Sequence, residues 1–447
     1  MKKASVKFLF FLLMTIVLSS HYFIFSAYAN PLVTNIRIGL LDDFSKRTSI
    51  TINNTSIIYN QHHRLESSIG FTIRPYYVRQ IALYSGNQRL RIFNDPIQLQ
   101  DSNGGLMLLD GTAYRGAIEF ALLDNYGLTA INILPLEEYL FSVVPSEMPA
   151  SWHPEALKAQ AVAARTYTIF TMSRGSVHTG FDLCDRVHCQ VYRGVEWENT
   201  ASTQAVLATT GLALYFNGQL IEAVYFASSG GNTENSENVW LESRPYLRSV
   251  PDIHEHEPVV WNRTFTLSEI TTLLNQNNHS IGTATGIYIG GSHPSGRVES
   301  LIISGTTGQV ILTGEEIRTF FSTSIDGSLK SRNFTLTGDF EMLSPINIAI
   351  FDGHQVFDIS PVGLYGISAQ GNASIMESFS KTSGSVTIAH GESVQPPTSV
   401  LSDVITINGR GFGHGVGMSQ RGANGMALRG YTFRDILAHF YRNTTLR

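Results

Sequence analysis

Residues 134–175 read LPLEEYLFSVVPSEMPASWHPEALKAQAVAARTYTIFTMSRG, and the fold class turns on this stretch. Leu134-Pro135 closes a strand-like region, and Leu136-Glu137-Glu138-Tyr139-Leu140 opens a short helix. That helix is expected to end before Pro145, because proline lacks the backbone N–H and its ring collides with the preceding turn. A second helix is expected from Pro154, with Glu155 in its first turn, through Ala156, Leu157, Ala159, Ala161, Ala163 and Ala164 to a stop at Gly175. So many small side chains on one helix imply close approach to a neighbouring element.

Outward from this pivot the texture changes. From Asn35 to about Ile133, short alternating apolar runs such as Ile36-Arg37-Ile38-Gly39-Leu40 are separated by Gly, Asn and Asp turns, the pattern of strands and hairpins. Downstream, residues 198–210 suit a helix, and residues 211–227 suit a hairpin turning at Asn217-Gly218. Helical pieces (267–274, 314–321) then alternate with strands (286–290, 297–304, 309–312), and a last helix is expected over 432–440. The expected class is α+β, strand-rich with a few helices and multi-lobed. The expected division is 1–29 signal or anchor, 30–130 strand-rich N-terminal region, 131–336 core, 337–404 inserted strand and loop segment, and 405–447 completion of the core.

Lys2, Lys3 and Lys7, the apolar run Phe8–Leu18 and Ala27-Tyr28-Ala29 have the layout of a secretory signal. The apolar character resumes at Tyr22–Phe25, so a retained membrane anchor is the alternative. Either way the rest of the chain is expected outside the cytoplasm. Of 31 basic residues three sit in that segment, against 36 acidic ones, and no cluster tracks a phosphate backbone, so nucleic acid is not an expected partner. Only 15% of residues are charged, while Ser, Thr, Asn and Gly abound, which suits a hydroxyl-rich ligand such as a glycan.

Three stretches carry chemistry. In Val143-Val144-Pro145-Ser146-Glu147-Met148-Pro149, Glu147 is the lone charge between Glu138 and His153, among apolar neighbours. Such surroundings raise a carboxyl pKa, as a general acid requires; the alternative is a cap for the helix at Pro154. Gly409–Gln420, GRGFGHGVGMSQ, matches neither a dinucleotide fingerprint nor a P-loop. His414 and Gln420 there line either a ligand groove or a tight structural turn. Finally, His178, Cys184, His188 and Cys189 fall within twelve residues and supply the soft ligands of a tetrahedral, structural Zn2+ site. A local disulfide or two free thiols are the alternatives, but a disulfide leaves the histidines unexplained; His188, adjacent to Cys189, is the least secure ligand. No organic cofactor is expected. Ser228-Ser229-Gly230-Gly231 lacks the nucleophile elbow and reads as a loop offering backbone amides.

Pro145–Pro149, then 155–161, Ala164-Arg165-Thr166-Tyr167, Val191-Tyr192-Arg193-Gly194, Phe226–Gly231 and Gly409–Gln420, in that order, resemble the family of stage II sporulation protein D and the amidase enhancer LytB. The resemblance implies a peptidoglycan lytic transglycosylase acting on glycan strands stripped of stem peptides, with Glu147 as the acid and then the base. Arg165 matches a site arginine that binds substrate or orients the carboxylate; His414, Gln420, Ser228 and Ser229 would contact the glycan, and the Cys/His motif resembles one in some members. The alternative is a non-catalytic glycan-binding enhancer of an N-acetylmuramoyl-L-alanine amidase. The 337–404 segment departs from shorter members.

Overall fold

The computed structural model describes residues 35–60, 63–323, 327–337, 348–351, 356–359 and 404–447. The proposed signal and most of the inserted segment lie outside the described residues. The chain forms two compact units, 1–222 with 445–447, and 223–444. The division falls inside the stretch 131–336 that the sequence reading takes as one core. The N-terminal strands and the first helices share a unit.

The first unit carries two large sheets and a small three-stranded one. The seven-stranded one runs in the order Leu183–Cys184, Asn35–Gly39, Gly127–Pro135, Ala117–Leu123, Ile97–Asp101, Ser56–Tyr59, His63–Glu66. The six-stranded one runs Thr112–Tyr114, Met107–Leu109, Ile50–Ile52, Phe71–Pro75, Gln80–Ser85, Gln88–Asn94. Alternation places Ile36, Ile38, Ile118, Phe120 and Ile131 in the core, all fully buried.

Helix α1 (Leu136–Glu147) leads out of the first sheet and contains Pro145, so the expected stop before that proline is corrected. The ring removes only the bond that the Pro145 nitrogen would have made one turn back. Val143, Val144 and Met148 are fully buried, and the Met148 N–H reaches the Val144 carbonyl at 2.9 Å, so packing carries the last turn past the proline. Helix α2 (Pro154–Ser173) is capped by the His153 ring, which accepts from the Glu155 N–H. Ala156, Ala159, Ala161, Ala163 and Ala164 are all fully buried, the close approach that their size predicts, against α1 and helix α3 (Thr200–Ala208). The hairpin turns at Asn217-Gly218, both with positive φ (50° and 80°). Its first strand, Leu214–Phe216, also pairs with Thr445–Leu446, and Ala213 exchanges both backbone hydrogen bonds with Arg447.

In the second unit a short helix α4 (Glu237–Trp240) precedes two three-stranded sheets. One has strand Val404–Arg410 between Val260–Thr266 and Phe334–Thr337; the other joins Ala284–Ser292, Val298–Gly305 and Gly308–Thr313. Helices α5 (Leu267–Gln276) and α6 (Glu316–Phe320) cover a core including Phe265, Ile270, Leu301, Ile303, Phe320 and Ile407. Thr337 pairs with Thr406, so residues 338–403 leave and re-enter at neighbouring antiparallel strands, where a hairpin loop would sit. Loop closure entropy grows slowly with length, so such a position accepts a long insertion. Helices α7 (Gln420–Ala427) and α8 (Phe433–Phe440) complete the unit.

Strand Tyr225–Phe226 runs parallel to Met418–Ser419, so the Ser-Gly loop and the glycine-dense segment fold against each other. Gly417 has φ 78°, and a Cβ there would stand 2.1 Å from the Val224 carbonyl oxygen. Gly417→Ala therefore combines a disfavoured backbone with a clash against main chain, and its expected cost is about 2–4 kcal/mol. Urea unfolding midpoints check this; a shift near zero would mean that the segment relaxes freely.

Candidate functional site

In the first unit, Glu147 ends α1, half-buried, and its Oε1 accepts the Val191 N–H at 2.8 Å. Further bonds hold the strip Gln190–Arg193 to α1, to α2 and to strand Gly127–Pro135. The Arg193 N–H reaches the Ser142 hydroxyl at 3.2 Å, and Tyr192 donates to Asn132 at 2.6 Å. The buried Gln190 side-chain Oε1 accepts from Tyr139 on α1 (3.2 Å) and from Thr168 on α2 (2.7 Å). Gly194 ends the strip with φ 72°, where a Cβ would stand 2.5 Å from the Ala113 carbonyl oxygen. The Val-Tyr-Arg-Gly motif is thus a clasp behind the carboxylate.

Arg165 is a correction. Its side chain is fully buried and its guanidinium fork grips Glu137, with Nε–Oε1 at 2.8 Å and Nη2–Oε2 at 2.7 Å. Its other N–H groups donate to the Leu212 and Val206 carbonyls. It ties α1 to the end of α3 and presents nothing to a ligand. Sequence reasoning missed Glu137, although its place in the first turn of α1, a position that favours acids, was visible.

The four Cys/His side chains converge. Their ligand atoms all lie within 4.8 Å of one another, so the group could hold a metal ion. His178 Nε2 stands 3.3 Å from Cys189 Sγ, and His188 Nδ1 lies 3.4 Å from Cys189 Sγ and 3.9 Å from Cys184 Sγ. A tetrahedral ion with N and S ligands needs N···S separations of about 3.6 Å, so the spacing fits. Both cysteines are free thiols, and adjacency does not keep His188 from the cluster. The Cys184 thiol is pulled down to about 4, first by the hydrogen bond from Cys189, whose own thiol is pushed up by giving it. The loop is pinned by strand Leu183–Cys184 beside Ile38–Gly39, and by the Asp185 carboxylate accepting the Leu41 and Asp42 N–H groups at 3.0 and 3.3 Å.

In the second unit, the residues expected at a glycan surface mostly face inward, a further correction. Ser228 and Ser229 are fully buried. The Ser228 hydroxyl accepts the Val259 N–H, and the Ser229 hydroxyl donates to Glu255 at 2.8 Å. The Ser229 and Gly230 N–H groups also go to that carboxylate, so the offered amides are occupied from within the chain. The reason is compact folding: a glycine-rich loop leaves amides exposed unless an acceptor reaches them, and Glu255 does. Gln420 is buried at the start of α7.

His414 is half-buried with both ring nitrogens engaged. Nδ1 accepts from the Val416 N–H at 3.1 Å, and Nε2 donates to the Tyr225 carbonyl at 3.2 Å. Burial first, then the nearby Arg318 and Arg297 charges, hold its pKa at about 3, the Tyr225 carbonyl opposing them. The ring is neutral and is no proton shuttle near pH 7. It packs against Phe226 (5.5 Å between centroids) and backs Trp240 (4.9 Å), a residue 43% exposed. Trp240 went unnoticed in the sequence, where it stands among Glu237, Glu242 and Arg244 with no motif to mark it.

Asp252 is 3% exposed, and neither carboxylate oxygen finds a hydrogen-bond partner. The Ser229 and Ser419 hydroxyls lie near and pull its pKa back, but the Ser229 proton goes to Glu255. Burial wins and raises the carboxyl to about 6. Because the folded value exceeds the unfolded one, the folded chain holds the extra proton. Stability is greatest below about pH 4 and falls as pH rises to about 6, by roughly 3 kcal/mol for this group. Asp252→Asn should flatten that part of a stability-against-pH curve; an unchanged slope would assign it to another group.

The family model described as "Stage II sporulation protein" (SpoIID) matches residues 124–216. The stage II sporulation protein D of Bacillus subtilis is 32% identical over 71% of this chain and 76% of its own. The amidase enhancer of the same species is 31% identical over 80% of this chain, but the match takes in 48% of that relative's length. An uncharacterised protein of Brachyspira hyodysenteriae is 25% identical over 94% of each chain.

Proposed function

The chain belongs to the stage II sporulation protein D family, and from that membership and the setting of Glu147 we propose that it is an extracytoplasmic lytic transglycosylase of the cell wall, working in sporulation or wall remodelling. The coarser reading, a cell-wall role in a sporulation family, rests on the family and on the relatives' names. Among the described residues no helix is long and apolar enough to cross a membrane.

The observation that carries the finer reading is the Glu147 carboxylate. It is half-buried at a helix end, and one oxygen is oriented by the Val191 amide. In the proposed reaction the Glu147 proton passes to the oxygen linking N-acetylmuramic acid to N-acetylglucosamine. The bond from that oxygen to the muramoyl C1 breaks, and N-acetylglucosamine leaves with the proton. Glu147, now a base, takes the proton of the muramoyl 6-hydroxyl as its oxygen bonds to C1 and closes the 1,6-anhydro ring. A single carboxylate returns to its starting state, unlike the two-carboxylate hydrolases. The Cys/His group would hold zinc as a fastening for the 178–189 loop, with four protein ligands and no open position for a reacting water.

A second reading is favoured by the amidase enhancer's name: a glycan-binding partner of an N-acetylmuramoyl-L-alanine amidase, with Glu147 structural. Mass spectrometry of peptide-stripped strands after incubation with the protein and with Glu147→Gln separates the two. Anhydromuramoyl ends from the parent protein alone are expected. No products from either, together with stimulation of an added amidase, would replace the first reading by the second.

A further inference from the structure

Residues 63–94 hold five arginines (64, 74, 79, 89, 91) and one acid, Glu66, in a chain whose net charge is −5. Three of the five are engaged. Arg64 pairs with Glu66, Arg79 approaches Asp95 at 3.8 Å, and Arg91 turns inward to the Tyr59 hydroxyl. Arg74 and Arg89 meet no carboxylate among the described residues. They stand on strands Phe71–Pro75 and Gln88–Asn94, which flank Gln80–Ser85.

Register places them on one face. Arg74 lies opposite Ala82, which lies opposite Ile92, and Arg89 lies opposite Tyr84. The Arg74 guanidinium is 5.1 Å from the Tyr84 ring centroid, and that of Arg89 is 4.8 Å from the Tyr76 centroid. Ala82 is fully buried although it points to this outer face, as expected when long side chains lie across it. Tyr76 and Tyr77 pack edge to face and stay 36% and 69% exposed.

We propose that this arginine–tyrosine face is a binding surface for a carboxylate-bearing glycan, the muramoyl strand whose lactyl carboxylates are bared when stem peptides are removed. It rests on the proposed function for the choice of strand. A guanidinium held against a ring has already lost much of its rotamer freedom, and its planar fork matches a carboxylate with two hydrogen bonds. Exposed tyrosines supply flat apolar faces with a polar tip, which suit sugar rings. The two arginines arise from strands two spacings apart, about 10 Å across the sheet at the backbone. Such sparse charge fits a polymer with one carboxylate per repeat. A phosphodiester chain calls for a continuous track of cations. Selectivity for stripped strands would then arise before catalysis, at a surface remote in sequence from Glu147.

The test measures binding of the full chain in the Glu147→Gln background, so that strands stay intact. The probes are peptide-stripped strands, the same strands with carboxylates converted to methylamides, and a glycerol-phosphate polymer. Arg74→Gln with Arg89→Gln should weaken stripped-strand binding at least about fivefold, and blocking the carboxylates should do the same. Arg64→Gln, which removes an engaged arginine, should leave binding unchanged, and unfolding curves check that each variant is folded. Equal binding by parent and double variant, or indifference to blocked carboxylates, overturns the proposal, as does preference for the phosphate polymer. Product assays with Glu147 present keep the two readings apart. Binding that obeys the pattern without anhydromuramoyl products sinks the transglycosylase and spares the surface; products without arginine-dependent binding do the reverse.

Discussion

Arg165→Met is expected to lower stability by about 3 kcal/mol, because it strands the Glu137 carboxylate beside a fully buried position. Glu137 keeps 25% of its side-chain exposure, which places the cost at the lower end of the range for broken buried pairs. The Val206 and Leu212 carbonyls lose a donor in the same step. Changing both partners to apolar residues, Arg165→Met with Glu137→Leu, should recover a large part of the loss, since no unpaired charge remains. Urea titrations of the two singles and the double give the coupling. A near-normal midpoint for Arg165→Met, together with loss of glycan cleavage, would return Arg165 to the reaction site.

Removing the proposed metal should have a similar or larger effect. A ligand that binds only the folded chain stabilises it by about 4 kcal/mol when present at a thousand times its Kd. Here the four ligands span the loop His178–Cys189, which also provides the edge strand beside Ile38–Gly39. Chelation should therefore lower the unfolding temperature of the first unit, and Cys184→Ser should start from the lower value and ignore the chelator. Metal analysis should find one zinc per chain, released in step with the loss of stability. A protein with no metal, insensitive to chelator and lacking titratable thiols would instead contain a disulfide.

The fold class was legible because it follows from short-range patterns. The strand alternation before Ile133, the proline start of α2 and the Asn217-Gly218 turn each act within a few residues. Pro145 misled because its penalty is local, whereas the packing of Val143, Val144 and Met148 that overrides it comes from elsewhere in the chain. The Cys/His cluster could be read because its ligands are close in sequence. Arg165 could not, since its partner Glu137 lies 28 residues away and nothing in a helix pattern chooses between two glutamates. The serines of residues 228–229 looked available for the same reason: Glu255 reaches them only once the chain has folded back. Charge counting over the whole chain hid the arginine face, because an acidic total conceals a local surplus.

The pairing of Leu214–Phe216 with Thr445–Leu446 sets an order for assembly. In a chain exported unfolded, residues 217–444 must emerge on the outer side of the membrane before that sheet can close. Until then the first unit carries an open β edge, which invites pairing with other chains. The second unit can fold in the meantime, so the unit that begins first is completed last.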